Sequence, residues 1–222
     1  DGTTLFQMGI PLNAASFVNT SNAVYFRDFN VATGVELYKA DLNLNNISLV
    51  VDGNPSNGAG NTISSMTVYN DTLYYFYDNG INGFELWKSD GTETGTVRVK
   101  DINAGSAGSF PASLTSINET LYFTASDPSN GGRELWKSDG TEAGTALVKD
   151  IYAGEGSSSP GYLMSVGGTL YFTASDAVSG IELWKSDGTE AGTIRVKDIY
   201  AGTISSSPRP LTNVEGTLYF SA

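Results

Sequence analysis

The dodecapeptide ELWKSDGTEAGT occupies Glu134–Thr145 and returns, letter for letter, at Glu182–Thr193. A near copy, ELWKSDGTETGT, stands at Glu85–Thr96. Repetition at a fixed interval marks an architecture assembled from one supersecondary unit, so it decides the fold before any single element is assigned. Aromatic doublets keep the same rhythm: Tyr25-Phe26, Tyr74-Tyr75, Tyr122-Phe123, Tyr171-Phe172 and Tyr219-Phe220, spaced by 48 or 49 residues. Trp87, Trp136 and Trp184 share the interval, with Tyr38 in the equivalent place of the first unit. The tetrapeptide VKDI follows at Val99, Val148 and Val196.

Within the third unit the pattern predicts four strands, Ala112–Ile117, Leu121–Ser126, Glu134–Ser138 and Thr145–Ile151. Each run is bounded by Gly, Asn, Asp or Pro, which is the hairpin signal. Four short strands in one period make an antiparallel meander. The second of them, LYFTAS, is apolar almost throughout instead of at alternate positions, so both of its faces must be covered. Stacking each sheet between two neighbours supplies that cover. The expected fold is therefore all-β, a β-propeller of four-stranded antiparallel blades in one domain, with repeat units near 1–40, 41–89, 90–138, 139–186 and 187–222. Five doublets predict five blades. Residue 1 opens on DGT and the last unit runs to LYFSA, so the terminal pieces read as complementary parts of one split blade that lacks its third strand. A window on a longer array is the alternative.

The three dodecapeptides, Glu85–Thr96, Glu134–Thr145 and Glu182–Thr193, resemble the ELWxxDGT repeat family of large secreted or surface-attached bacterial proteins. The resemblance covers nearly the whole chain. It implies an extracellular or cell-surface location and a repeat architecture, and it brings no catalytic residues with it. The first unit departs from the motif: ELYKADLNLNN, Glu36 to Asn46, lacks the DGT turn, so its outer hairpin is expected to differ.

Composition narrows the function classes. With 24 acidic against 12 basic residues the formal charge is -12, which repels nucleic-acid phosphate and anionic lipid and excludes nucleic acid as a partner. Cysteine is absent, removing disulfides, thiolate metal sites and thiol nucleophiles. Histidine is absent too, which rules out a Ser-His-Asp triad and HExxH zinc chemistry. No apolar run is long enough to span a bilayer as a helix, so no membrane insertion is expected. No cofactor is expected either. Calcium is the metal left open, because oxygen ligands abound, although neither an EF-hand loop nor a glycine-rich nonapeptide array is present.

Among the repeated residues, Asp90, Asp139 and Asp187 open Asp-Gly turns, where glycine tolerates positive φ and the carboxylate bonds following amides. Trp87, Trp136 and Trp184 are expected to fill the gap between adjacent sheets, each indole N–H reaching Ser126-Asp127, Ser175-Asp176 or their counterparts; the rival reading is a set of exposed platforms for sugar rings. The Glu and Lys of each ELWK lie three apart on a strand and point to opposite faces, so they either meet charges on a neighbouring blade or stay solvated at the rim.

The Gly- and Ser-rich connections Asn103–Pro111, Tyr152–Pro160 and Tyr200–Pro208 are expected on the same edge as the loops Asp127–Gly132 and Asp176–Gly180. That edge is the candidate ligand face, with Asp127, Tyr152, Ser157, Asp176, Tyr200 and Ser205 as the residues to watch. A glycosidase needs two carboxylates at positions that the blades do not share. Asp28, Asp52, Asp71, Asp78, Glu119, Glu155 and Glu215 are unshared, and several read as turn residues. The reading is a non-enzymatic secreted or cell-surface propeller for adhesion, display or protein assembly, whose partner is a surface protein or glycan. A multivalent carbohydrate-binding propeller is the second reading and a carboxylate-based glycan-cleaving enzyme the third.

Overall fold

The computed structural model describes residues 14–30, 34–51, 63–154 and 156–222. It divides into two compact units, Asp1–Gly108 and Ser109–Ala222. The first holds two antiparallel meanders. One is β1 (Ala15–Asn19), β2 (Val24–Asn30), β3 (Gly34–Ala40) and β4 (Ser48–Val51). The other is β5 (Ile63–Tyr69), β6 (Thr72–Asp78), β7 (Phe84–Ser89) and β8 (Val97–Arg98). The second unit holds β9 (Ala112–Ile117), β10 (Thr120–Asp127), β11 (Gly132–Ser138) and β12 (Ala146–Lys149). These are followed by β13 (Gly161–Val166), β14 (Thr169–Asp176), β15 (Gly180–Ser186) and β16 (Ile194–Lys197), and by a two-stranded pair, β17 (Thr212–Val214) with β18 (Thr217–Tyr219). The described residues are all-β, in four four-stranded antiparallel sheets and one two-stranded pair. Each sheet takes its fourth strand from the opening of the next sequence unit, so the sheets and the units 41–89, 90–138 and 139–186 are framed differently.

Neighbouring residues of a strand point to opposite faces, so the two aromatics of a doublet lie on opposite faces of their sheet. In the second unit Tyr122 lies on one face of its sheet with Leu135, Val148 and Ile151. This face packs against Leu170, Phe172, Ala174 and Trp184 of the following sheet. The first unit repeats the arrangement, with Tyr25, Leu37 and Val50 against Ile63, Leu73, Tyr75 and Tyr77, and Trp87 alongside. Two-sided burial is thus the physical reason for the unbroken apolar strand. Fully burying one such side chain contributes about 1.5–3 kcal/mol. First strands of successive sheets lie side by side, β1 with β5 in one unit and β9, β13 and β17 in the other.

Outer hairpins are self-contained. In the 187–193 turn the Asp187 carboxylate accepts from Thr189 N–H at 2.8 Å and Thr189 Oγ1 at 2.7 Å, while Gly192 N–H donates to Thr189 Oγ1. Ser186 Oγ and Thr193 Oγ1, 2.7 Å apart, close the base. The Asp90 and Asp139 turns repeat these bonds. In the first sheet the hairpin differs, as expected from its lost DGT: Asp41 accepts from Asn43 and Asn45 N–H and from Asn46 Nδ2.

Gly131 leaves no room for a side chain. Gly131 closes the 3-10 turn Pro128–Asn130 at φ +84°, and an added Cβ would sit 1.9 Å from the Gly154 carbonyl oxygen. Gly131→Ala is expected to lower stability by about 1–3 kcal/mol, at the upper end because backbone blocks the new methyl. Guanidinium denaturation reads this out.

Candidate functional site

The edge where the second and third strands meet carries the candidate residues. The connection between the third and fourth sheets runs back along the β10–β11 loop: Ser157 Oγ accepts from Arg133 N–H at 3.1 Å and donates to Arg133 O. In the next repeat Ser205 Oγ accepts from Ile181 N–H at 2.9 Å. Asp127 accepts from Ser129 N–H at 2.9 Å and Ser129 Oγ at 2.7 Å. Asp176 accepts from Val178 and Ser179 N–H and Ser179 Oγ, and forms an ion pair with Arg195 at 2.8 Å. Partial burial acts to raise the Asp176 pKa, but the Ser179 and Val178 hydrogen bonds and the Arg195 guanidinium outweigh it and hold the carboxyl below its ordinary value. Tyr152 lies against Gly156, and Tyr200 is exposed. The polar atoms of Asp127, Asp176, Ser157 and Ser205 therefore brace their own loops, and the two tyrosines stand in separate repeats.

The residue that sequence reasoning missed is the glutamate of each ELW. Glu134 and Glu182 are fully buried at 0 % exposure, neither solvated nor ion-paired. Glu134 Oε1 accepts from Ser158 N–H at 2.7 Å, and its Oε2 accepts from Ser158 Oγ and from Ile151 N–H at 3.2 Å. Glu182 does the same with Ser206 N–H at 2.9 Å, Ser206 Oγ at 2.6 Å and Ile199 N–H at 3.1 Å. The Ser158 carbonyl in turn accepts from Ser175 N–H of the following sheet at 2.9 Å. Ser158 thus rivets the third strand of one sheet to the second strand of the next. The signal was in the sequence: Glu134 and Trp136 are two apart and share a face, so a buried Trp implies a buried Glu.

Two further expectations need correction. The indole N–H groups of Trp87, Trp136 and Trp184 reach neither Ser126-Asp127 nor Ser175-Asp176; their Nε1 atoms are buried with no acceptor among the described residues. Strand register is the cause, since Trp136 faces Phe123 and Trp184 faces Phe172, three positions along the strand from Ser126 and Ser175. With Trp136 and Trp184 only 4 % and 5 % exposed, they are not sugar platforms. The lysine of ELWK does reach the following sheet, but it binds a backbone carbonyl: Lys137 Nζ donates to Gly188 O at 2.8 Å, and Lys39 Nζ donates to Gly91 O at 2.5 Å. Among the described residues the ion pairs are Arg98 with Asp101 and Arg195 with Asp176.

Electrostatics follow this geometry. Burial pushes the Glu134 pKa up, against the Ser158 and Ile151 hydrogen bonds. Hydrogen bonds from Thr92 and Thr189 hold Asp90 and Asp187 below the usual carboxylate range, helped by Lys39 and Lys137. The raised Glu134 contributes stability that is full below its unfolded value of 4.5 and is lost as pH rises through its folded value. The depressed aspartates act the other way, and their contribution is lost as pH falls below 3.8. The stability of the native chain relative to Glu134→Gln is therefore expected to fall between pH 4.5 and neutrality, as read by urea denaturation across a pH series.

A cleft of about 250 Å³ opens between the atypical first hairpin and the Asp90 turn, lined by Asn22, Tyr25, Lys39, Asp41, Asn46 and Asp90. Burial raises the Tyr25 pKa, as do the charges of Asp90 and Asp71. Among the described residues the unshared acids do not assemble. Asp71 accepts from Ser21 N–H at 2.6 Å and from Ser21 Oγ, and Asp78 caps Gly80. Asp28, its pKa raised by burial against a Phe29 backbone bond, sits at the far end of β2, and Asp52 and Glu155 lie outside the described residues. Glu119 and Glu215 occupy turns between first and second strands, Glu215 at φ +48°. Among the described residues no three acidic groups are placed to hold a metal ion.

No known family profile and no curated protein matches the chain. Solved structures do. A puromycin hydrolase is similar over 93% of this chain and 33% of its own, at 14% identity and a TM-score of 0.54. A puromycin-hydrolyzing peptidase of Mycobacterium tuberculosis is similar over 86% of this chain and 33% of its own, at 14% identity and TM-score 0.51. A prolyl endopeptidase is similar over 78% and 24%, at 11% identity and TM-score 0.52. The chain spans a third or less of these proteins, and at such identity the likeness is one of fold.

Proposed function

We propose that this chain is a non-enzymatic propeller module of the ELWxxDGT repeat kind, a five-bladed scaffold for adhesion, display or protein assembly at the cell surface or outside the cell. The observation that carries the reading is that the recurrent polar residues are spent on construction. Glu134 and Glu182 clamp the connections, Ser157 and Ser205 pin them, and Asp90, Asp139 and Asp187 close turns. The peptidase and hydrolase names of the similar structures are not extended to this chain, which lacks the histidine of a Ser-His-Asp triad. A polysaccharide hydrolysis screen is expected to show no turnover. Turnover that disappears in Asp28→Asn or Asp78→Asn would establish the glycosidase reading instead.

Glycan binding is the second reading, favoured by the cleft beside Tyr25, where Lys39, Asp90 and two asparagines converge. Its volume is below the 300–1,000 Å³ of typical ligand pockets, which suits one sugar ring and not an oligosaccharide. A glycan array with graded sugar concentrations separates the two readings: saturable capture abolished by Lys39→Ala supports the second. Chelator is expected to leave the melting temperature unchanged, measured by scanning calorimetry with and without added calcium; a drop of many degrees would assign a structural calcium.

A further inference from the structure

We infer that the sheet β13–β16 carries a pocket for the guanidinium of an arginine presented by a partner protein. The inference deepens the assembly reading above, on which it rests, by naming the chemistry of the contact. The chain itself supplies the comparison. In the preceding sheet Arg133, near the start of β11, reaches across to Thr124 on the same face. Its Nη1 donates to Thr124 Oγ1 at 3.0 Å and its Nη2 to the Phe110 carbonyl at 2.7 Å. Thr124 Oγ1 is itself fixed by donating to Ala112 O at 3.4 Å. One repeat later the frame is unchanged. Ser175 pairs with Ile181 as Ser126 pairs with Arg133, and Thr173 pairs with Gly161 as Thr124 pairs with Ala112. Thr173 Oγ1 likewise donates to Gly161 O, at 3.3 Å, and Ser159 holds the sequence place of Phe110.

The donor is what changes. Ile181 has no side-chain N–H, and among the described residues no side chain donates to Thr173 Oγ1 or to the Ser159 carbonyl. Where Arg133 lies in one repeat, the next has a pocket of about 170 Å³, lined by Ser159, Tyr162, Thr173, Ile181, Ser207 and Arg209. Thr173 is 5% exposed, so its oxygen faces this pocket already stripped of most water. A second departure from the repeat converges on the same place. Each first strand of the four complete sheets has a register shift near a residue of positive φ, namely Ser16, Ser65, Ser113 and Tyr162. Such a bulge re-aims its side chain. In β13 that side chain is an aromatic ring, half exposed beside the pocket, whose face attracts a cation. Two acceptors placed as in the Arg133 site, with a ring beside them, fit the planar fork of arginine and not the point charge of lysine. The formal charge of -12 draws a cation toward the chain, and Arg209 is exposed at the rim, where salt and water screen its like charge.

The test is an NMR titration of the intact chain with an end-blocked peptide of one arginine between glycines. Saturable shifts are expected at the amides of Tyr162, Thr173 and Ile181, and the same peptide with lysine should bind at least about tenfold more weakly. Two substitutions copy the preceding sheet, which shows that the frame accepts them. Ile181→Arg should place a guanidinium on Thr173 and Ser159 from within the chain and abolish binding. Tyr162→Ser, at an exposed position, should weaken binding about two- to fivefold. Absence of saturable shifts, equal binding of the arginine and lysine peptides, or binding indifferent to both substitutions overturns the inference. So does agmatine binding more tightly than the peptide, since the pocket would then serve a free guanidinium compound and not a protein partner. A negative titration removes this pocket alone and leaves the scaffold reading to its own tests, the hydrolysis screen and the glycan array.

Discussion

Trp184→Ala should lower the unfolding free energy by about 3–5 kcal/mol. The side chain is 5% exposed and lies between its own Phe172 and the preceding sheet's Tyr122, Leu135, Val148 and Ile151. Truncation removes the aromatic area and leaves a void that two hydrogen-bonded sheets cannot close by moving, because each is held to the next through Ser158. Trp184→Phe isolates the ring from its N–H. That N–H has no acceptor among the described residues, so losing it removes no bond, and the loss should be markedly smaller than for alanine. Guanidinium denaturation of the three proteins checks the order. Equal losses for Phe and Ala would mean that the indole N–H contributes a bond that the geometry does not contain.

Glu134→Ala should cost a similar amount, about 3–5 kcal/mol, by a different route. Here the loss comes from the groups left behind: Ser158 N–H, Ser158 Oγ and Ile151 N–H all donate to this one carboxylate in a site closed to water. Each buried donor left unpaired costs about 1–3 kcal/mol. Glu134→Gln keeps one acceptor oxygen in place and should cost less. Hydrogen exchange at Ser158 and Ile151 distinguishes the mechanism: both amides should lose protection in the alanine variant while amides of β10 keep theirs. Uniform loss of protection through the sheet would instead mark a packing defect.

The two effects differ in how far they were legible. That Trp184 is buried between sheets follows from its recurrence beside an unbroken apolar strand, and the structure shows it at that interface. The third unit's strands were expected at Ala112–Ile117, Leu121–Ser126 and Glu134–Ser138 and lie at Ala112–Ile117, Thr120–Asp127 and Gly132–Ser138. Alternation along a strand is a local property, and hairpin residues mark its ends. The charge of Glu134 suggests a solvated rim residue, but its spacing of two from Trp136 turns it inward, whatever the place of Lys137 three residues on. The Trp hydrogen-bond expectation failed for a related reason, since proximity in the chain says nothing of register, and the register sets Trp136 against Phe123.

By itself, then, the sequence determined the period, the four-strand meander, the self-closing Asp-Gly turns and the need for sheets to cover one another. All of these depend on residues within a few positions of one another and on the alternation of a pleated strand. Only the tertiary structure decided that Glu134 grips Ser158 and that the indole N–H groups find no acceptor among the described residues. Those outcomes depend on where a connection 24 residues away recrosses the sheet edge and on which neighbour lies against each face, and identical stretches of sequence carry no trace of either.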